Sequence, residues 1–524
     1  MTLLIKLAAL FLSTILVVVD LILSRRTQQP PRLARIALTI LAVAFLLFTG
    51  FLWVNHIRFP LNLEVMETVV WQHFQRAASF QPIYPLPTPA FVPLAYNPFY
   101  YVFSIPFSWI FGVNLFTLRL VSILGYLGSV IILYLVIREK TNSIWWGLVG
   151  AGLFAAAYRV MDSYLDTAHA DSWLLFSTLL GCYLIDRGRS KITSFFGVFT
   201  LIVAFWFKQH GAVFLIGGLL FLTWRDGLVG SLLYWAEALA LGPLLYLIGG
   251  RPIFGPRFIY FTWQVPRQWS EIEFGTIRRF IGFILRSYPF LAFIASISIG
   301  WAALRRSKLN IWQVQFVFAI LTGLMGSLDP GSANNVFIPM GTWFILMGVI
   351  GLHELSGRIP AIEKYNLTSF ALLASISLFL YNPLTVIVSP KASQSYQDLI
   401  QLLNSLPGKV YAPSIGQLPA DYSFYPAADW VALEDVIRGP DRDTSNNANT
   451  RELLAPALKP DGDAYILANF PLDIYPWIAF LQEDYVLITD FGDRFKPLDT
   501  LPRRFPGGWP RYLYQYKPGL ANEP

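Results

Sequence analysis

Cysteine is almost missing from this chain: Cys182 is the only one among 524 residues. It falls inside an apolar run, so an intramolecular disulfide and a cysteine metal cluster are both excluded, and packing is its expected role. Charge is scarce as well, with 14% charged residues against 55% hydrophobic and 16% aromatic. At a mean hydropathy of +0.51, this composition lies far outside that of a soluble domain of such length. No small-residue cleavage site follows the first apolar run; Arg25 and Arg26 follow it directly. That run is therefore expected to be a retained helix rather than a removed leader. The net charge of +7 is carried largely by short loops between apolar runs, which argues against a nucleic-acid partner.

Apolar runs near the roughly 20 residues needed to cross a bilayer recur along the first three quarters of the chain, predicting about twelve transmembrane helices. They begin near Leu3, Ile36, Thr117, Ile144, Ser172, Ile192, Ala212, Leu228, Phe280, Ile311, Val336 and Leu367. Basic residues keep to the cytoplasmic side, and here they follow every second run: Arg25, Arg26, Arg32 and Arg35; Arg138 and Lys140; Arg187, Arg189 and Lys191; Arg225; Arg305, Arg306 and Lys308. The loops holding Glu64 and Glu67, residues 162–171, Lys208, residues 250–276 and residues 329–335 are then all expected on the opposite, extracytoplasmic face. Everything after Ser389 shares that face.

From Ser389 the composition changes, dividing the chain into a membrane domain, 1–388, and a small soluble α/β domain, 389–524. Residues 395–406 have helical apolar spacing, while 409–412, 464–467, 485–488 and 512–516 have the pattern of strands. Residues 441–450 are expected to form a solvated loop. The tail carries neither a Gly-rich phosphate loop nor paired cysteines, so recognition or structural support suits it better than catalysis.

Two acidic clusters fall at the same membrane depth. Glu64 and Glu67 stand three positions apart, and Asp166 and Asp171 flank His169. A carboxylate at a membrane boundary is wet on one side and in low dielectric on the other. On a helix, a spacing of three sets both glutamates on one face, where like-charge proximity raises one pKa toward a useful value. The competing reading is a pair of solvated loop acids. Two carboxylates and a His are also a set that could hold a divalent metal, and metal dependence stays open. Lys208 interrupts an apolar stretch beside Gln209 and His210; an ammonium there needs an anionic partner or a route to water, with snorkelling to the interface as the alternative.

The order of these segments resembles the GT-C glycosyltransferases, and within them the bacterial branch related to protein O-mannosyltransferases and lipid A aminoarabinose transferases. The resemblance rests on LEVMETVVWQHFQRAASFQPIYP, then Tyr96, Asn97, Pro98, Phe99, Tyr100 and Tyr101, an amphipathic run to Gly112, Arg119 with Ser122, and the later segments LDTAHADSW, FKQHG and GSANNVFIP. It covers most of residues 36–339. It implies a GT-C fold in a bacterial inner (plasma) membrane and transfer of a sugar from a polyprenyl-phosphate donor to a glycan, lipid or protein acceptor. Under that resemblance a carboxylate takes the proton of the acceptor hydroxyl. Glu67 is favoured over Glu64, because its distance to Ile83 and Tyr84 fits the family pattern. Asp171 and Asp166 bind the acceptor, orient the base or hold a cation.

The resemblance further implies that Lys208 stabilises the leaving phosphate, with His169, Gln209 and Arg257 expected to join it. His169 replaces what is often Arg in similar sequences, so a fixed charge becomes titratable. Arg251 and Arg267 are further phosphate contacts, although an interfacial belt with Tyr260, Trp263 and Trp269 explains these loop residues equally well. Tyr96, Tyr100 and Asn335 bind substrate, with a turn or cap role as the alternative for Asn335.

A flippase or transporter of lipid-linked sugar is the other reading. Its ionisable groups would lie near the bilayer midplane on broken helices and inverted repeats; here the carboxylates sit at span boundaries and no inverted repeat is evident. The topology is directly testable: cysteine-accessibility labelling from the extracytoplasmic face is expected to modify a probe placed at Ser445 and to spare one at Ser190. The opposite pattern would overturn the orientation.

Overall fold

The computed structural model describes residues 2–28, 31–88, 90–188, 190–305, 308–412, 428–437, 463–474, 478–499 and 509–517. Arg189, Arg306 and the expected loop at 441–450 lie outside them. Apolar sequence becomes helix wherever it runs unbroken, and polar residues end each run. Asn114 opens the helix Leu115–Thr141 by accepting from the Thr117 amide at 2.9 Å, and Ser190 does the same for Lys191–Phe207. Each side-chain cap satisfies an amide that the first turn leaves without a partner. Arg138 and Lys140 close Leu115–Thr141, where Asn142 adopts φ 49°.

Among the described residues, five helical stretches are long and apolar enough to cross a membrane, or seven if two bent helix pairs each count as one span. The chain is an integral membrane protein. The count differs from about twelve for two physical reasons. Several expected spans are helices of 13 to 17 residues, namely Ile144–Ala156, Asp171–Arg187, Lys191–Phe207 and Ile311–Ser327, below the roughly 20 residues that cover a bilayer. The runs beginning at Ala212 and Leu228 form two helices that meet at Gly227, whose φ 77° and ψ 168° are not helical, and both fall within one of the five stretches, Gly211–Phe254. That conformation suits glycine, which lacks a Cβ.

Without a hydrophobic drive between helices in lipid, close approach depends on small residues. Ile338–Arg358 is the central helix, with nearly all of its apolar window inside the protein. A Cβ on its Gly341, Gly348 or Gly351 would come within 2.7, 2.9 and 2.8 Å of Tyr288, Leu291 and Ser298. Gly152 makes the tightest of these approaches, 2.4 Å from the Ala42 backbone on Leu33–Ile57.

After the last apolar helix, Leu367–Phe379, the chain forms the helix Pro390–Ser405 and a mixed sheet. Its strands are β1 (Lys409–Tyr411), β2 (Ala464–Ala468), β3 (Tyr485–Asp490) and β4 (Tyr512–Tyr516), ordered β1-β2-β4-β3. β1 is parallel to β2, and β4 is antiparallel to both of its neighbours. These are the four segments with strand pattern in the sequence. The tail is tied to the helical body by Asn55, which accepts from the Val388 amide at 2.8 Å and donates to its carbonyl at 3.2 Å. The Trp269 indole adds a bond to the Asp435 carbonyl at 3.3 Å.

Gly152→Val is expected to lower stability by about 1–3 kcal/mol, because Ala42 backbone cannot move aside without parting two helices. Gly300→Ala, with open space at its Cβ, is expected to leave the unfolding temperature in detergent unchanged or slightly raised.

Candidate active site

The site is built on one buried ion pair. Glu67 is the first residue of the loop helix Glu67–Ala78, and Arg119 lies in the second turn of Leu115–Thr141; neither is exposed. Arg119 Nε and Nη2 donate to the two Glu67 oxygens at 2.9 and 2.5 Å. Its other N–H groups reach the carbonyls of His56 at 3.1 Å, Phe59 at 2.5 Å and Leu61 at 2.5 Å. Glu67 also accepts from the amides of Leu63 at 2.6 Å and Ala168 at 2.7 Å. An ionised carboxylate has about four acceptor positions, and Glu67 receives four bonds. It joins the 56–67 loop, the Leu115 helix and the loop before Asp171, and keeps no acceptor position for a substrate proton.

Glu64, one turn earlier, is placed differently. Its Oε1 lies 2.7 Å from His169 Nε2, and His169 Nδ1 lies 3.5 Å from Asp171 Oδ2. Asp171 Oδ1 accepts from Lys208 Nζ at 2.7 Å, and its Oδ2 from the Asn335 amide at 3.2 Å. Acid, imidazole, acid and ammonium thus form a continuous buried chain drawn from three separate segments, with Asn335 added from a fourth. Local structure explains each placement. Asp171 begins Asp171–Arg187, where a negative charge complements the helix N-terminus; Lys208 follows the end of Lys191–Phe207; Asn335 lies in the short 3₁₀ turn Asn334–Phe337. Burial alone would lower the His169 pKa. The Glu64 charge and hydrogen bonds to both acids outweigh it and leave the imidazole above its ordinary value.

His169, Asp171 and Lys208 line a pocket together with Val70, Tyr96, Asn97, Tyr100, Tyr101 and Ala170, and Glu64 lies behind His169. The Lys208 ammonium sits 5.4 Å from the centre of the Tyr96 ring, a favourable cation–π position. Asn97 donates to the Phe205 carbonyl at 2.6 Å, while its buried Oδ1 has no hydrogen-bond partner. No role attaches to Asn97 in the sequence beyond its place in the Tyr-Asn-Pro motif, which was the available signal.

The remaining candidates are held elsewhere. Asp166 is fully buried between His56 Nδ1 at 2.8 Å and the Tyr158 hydroxyl at 2.6 Å, while His56 Nε2 reaches the Val386 carbonyl. It is a strut apart from the pocket, and nothing in the sequence marks His56 as its partner. Gln209 spends its amide on the carbonyls of Ala95 and Thr262. The Tyr100 hydroxyl is engaged by the Leu118 carbonyl and Ser122, although its ring lines the pocket. Arg257 is exposed, its guanidinium over Tyr260, rather than beside Lys208. Among the described residues, no group of three or more His, Cys, Asp or Glu side chains is arranged to hold a metal ion.

Removing one member of a buried pair strands the other charge, so Glu67→Gln and Arg119→Met are each expected to cost about 3–5 kcal/mol of stability. Chemical unfolding in detergent measures this, and losses below about 1 kcal/mol would contradict the clamp. For His169 the folded pKa is the higher one, so its stabilisation is complete below the ordinary value of 6.5 and is lost as pH rises through the folded value. His169→Gln is expected to flatten the decline of unfolding temperature on raising the pH above about 6.5. A decline as steep as in wild type would contradict the Glu64–His169–Asp171 linkage.

Two solved structures align with nearly the whole chain. ArnT from Cupriavidus metallidurans bound to undecaprenyl phosphate is similar at a TM-score of 0.46 and 13% identity, over 92% of this chain and 99% of that one. ArnT from the same organism in the apo state is similar at 0.47 and 14%, over 90% and 97%. No family model matches the sequence, and no curated protein matches it.

Proposed function

We propose that the chain is a GT-C type glycosyltransferase with about twelve spans, in which residues 1–388 form the membrane domain and 389–524 a separate soluble one. It transfers a sugar from a polyprenyl-phosphate donor to a glycan, lipid or protein acceptor on the extracytoplasmic face of a bacterial plasma membrane. The observation that carries this reading is the buried chain Glu64–His169–Asp171–Lys208 against a pocket bearing Tyr96 and Asn97. Such a chain places an acid/base group and a cation in one enclosed space, as in-line displacement at a sugar carbon requires. The motif order along residues 36–339 supports it independently.

In this mechanism Glu64 takes the proton of the acceptor hydroxyl as its oxygen bonds to the anomeric carbon. The bond from that carbon to the phosphate oxygen breaks, and the lipid phosphate leaves as an anion. Asp171 orients Lys208, whose remaining N–H groups meet the developing phosphate charge. His169 holds Glu64 and Asp171 in register and balances their charge. Glu67 positions the loop that carries Glu64, so the preference between the two glutamates is the reverse of that drawn from sequence. The soluble domain supports or recognises.

Glu64→Gln is expected to slow transfer per folded molecule about 10²- to 10⁴-fold, measured below the unfolding temperature of the variant. Lys208→Met should weaken binding of undecaprenyl phosphate, with Lys208→Arg retaining part of it because charge survives while geometry changes. Equal lipid affinity for wild type, Met and Arg variants would leave a snorkelling lysine as the better account and remove the phosphate role.

A further inference from the structure

Among the described side chains that line the pocket, Asn97 alone holds a buried polar atom without a partner. The residue is 1% exposed; its Nδ2 donates to the Phe205 carbonyl at 2.6 Å, and Oδ1 is the atom left over. Tyr100, His169 and Asp171 on the same wall are all engaged by protein groups. An acceptor that has given up water and gained nothing carries an uncompensated desolvation cost, and such atoms are rare enough in folded proteins that each calls for a partner.

The orientation of the amide is fixed by its surroundings. Phe205 lies in the last turn of Lys191–Phe207, where carbonyls lack helical partners, and Asn97 caps one of them. Turned end for end, the side chain would set its oxygen against a carbonyl oxygen, so Nδ2 belongs on Phe205 and Oδ1 is the polar atom available to a ligand. The backbone beside it is held as firmly. Gln209 donates to the Ala95 carbonyl at 3.1 Å, the Tyr84 hydroxyl donates to the Tyr96 carbonyl, and the Tyr96 ring lies 5.4 Å from Lys208 Nζ. Ala95, Tyr96 and Asn97 are thus tied one after another to the turn that carries Lys208.

We infer that Asn97 recognises the sugar of the donor, its Oδ1 accepting a hydrogen bond from one sugar hydroxyl while Lys208 meets the adjoining phosphate. The inference rests on the transferase reading. Phosphate itself cannot fill the place, because its oxygens are acceptors and would face Oδ1 lone pair to lone pair. The group that fits must donate, and the sugar is the part of a lipid-phosphate donor that carries O–H groups. Asn97 shares its support with Lys208, so a sugar whose phosphate rests on the ammonium reaches the amide oxygen on the same wall. A donor lacking that hydroxyl leaves Oδ1 buried and empty, and a contact of this kind discriminates between substrates more strongly than an apolar surface does. Asn97 is thereby a specificity residue for the transferred sugar.

The test uses the full chain in nanodiscs and measures binding and transfer of undecaprenyl-phosphate glucose, mannose and arabinose, each beside its single-deoxy forms and beside undecaprenyl phosphate itself. In wild type, removal of one particular hydroxyl from the best-bound donor is expected to weaken binding about 5- to 30-fold. In Asn97→Leu and Asn97→Ala the same removal should matter less than about twofold, the non-additivity that marks two groups in contact. Affinity for undecaprenyl phosphate, which has no sugar, should stay within about threefold of wild type in both variants, showing that the Lys208 turn still stands. Each comparison is a ratio within one protein, so a smaller folded fraction does not alter it, and the wild-type panel is decisive without either variant. If wild type prefers none of the sugar-bearing lipids to undecaprenyl phosphate and transfers none of them, the transferase reading fails and the Asn97 role with it. If it does bind or transfer them, but no single hydroxyl carries the penalty, or the penalty is the same in Asn97→Leu as in wild type, the Asn97 role alone falls and a trapped water is the better partner for Oδ1.

Discussion

Arg119 and Glu67 set the terms for everything around them. A guanidinium and a carboxylate removed from water each carry a desolvation penalty of several kcal/mol, and mutual attraction repays it only where geometry is good and every remaining donor and acceptor is used. Here the five Arg119 bonds and the four to Glu67 meet that condition. Because five of the partner groups are backbone, in the 56–63 loop and at Ala168, the pair cannot form until those loops have taken their final course. The charge cluster is thereby a folding constraint on chain that has no regular structure of its own. Glu64 and His169, in the two loops that the pair joins, inherit their positions from it.

That dependence explains why two glutamates three positions apart do different things. Glu67 starts a helix and points at Arg119, so its charge is fully compensated. Glu64 meets a titratable cation, His169, whose own second nitrogen faces Asp171. The countercharge it meets therefore depends on the protonation of His169. The clamp is static and the relay is adjustable, and the static part surrounds the adjustable one on the backbone side.

Much of the architecture is legible in the sequence because hydrophobic periodicity reports burial directly. The apolar runs become helices, and the four segments patterned as strands become β1 to β4. Span number is less legible: length decides it, and helices such as Ile311–Ser327 stop short while Gly211–Phe254 takes in two helices that meet at Gly227. At the site, charge patterning brought Glu64, Asp171, Lys208 and Asn335 to one membrane face, and they meet in space. Pairing was not legible. The choice between Glu64 and Glu67 turns on Arg119, more than fifty positions away, and Asp166 differs from Asp171 only through His56 and Tyr158. Nothing local to either acid encodes such partners.

The charge balance of the relay gives the arrangement its direction. In the proposed reaction, a protonated His169 would join Lys208 in matching Glu64 and Asp171, and the relay would be neutral before an anionic donor arrives. A fully cationic wall would hold the lipid phosphate both before and after transfer, strengthening ground-state binding without helping the reaction. In the neutral wall, Lys208 is partly occupied by Asp171 and its pull on phosphate is restrained. Were Glu64 to accept the acceptor's proton as proposed, its negative charge would leave the relay and the relay would become net positive as the phosphate oxygen gained charge. Attraction to the phosphate would then grow in step with bond cleavage, the Glu64–His169–Asp171–Lys208 order linking loss of charge at one end to the cation at the other.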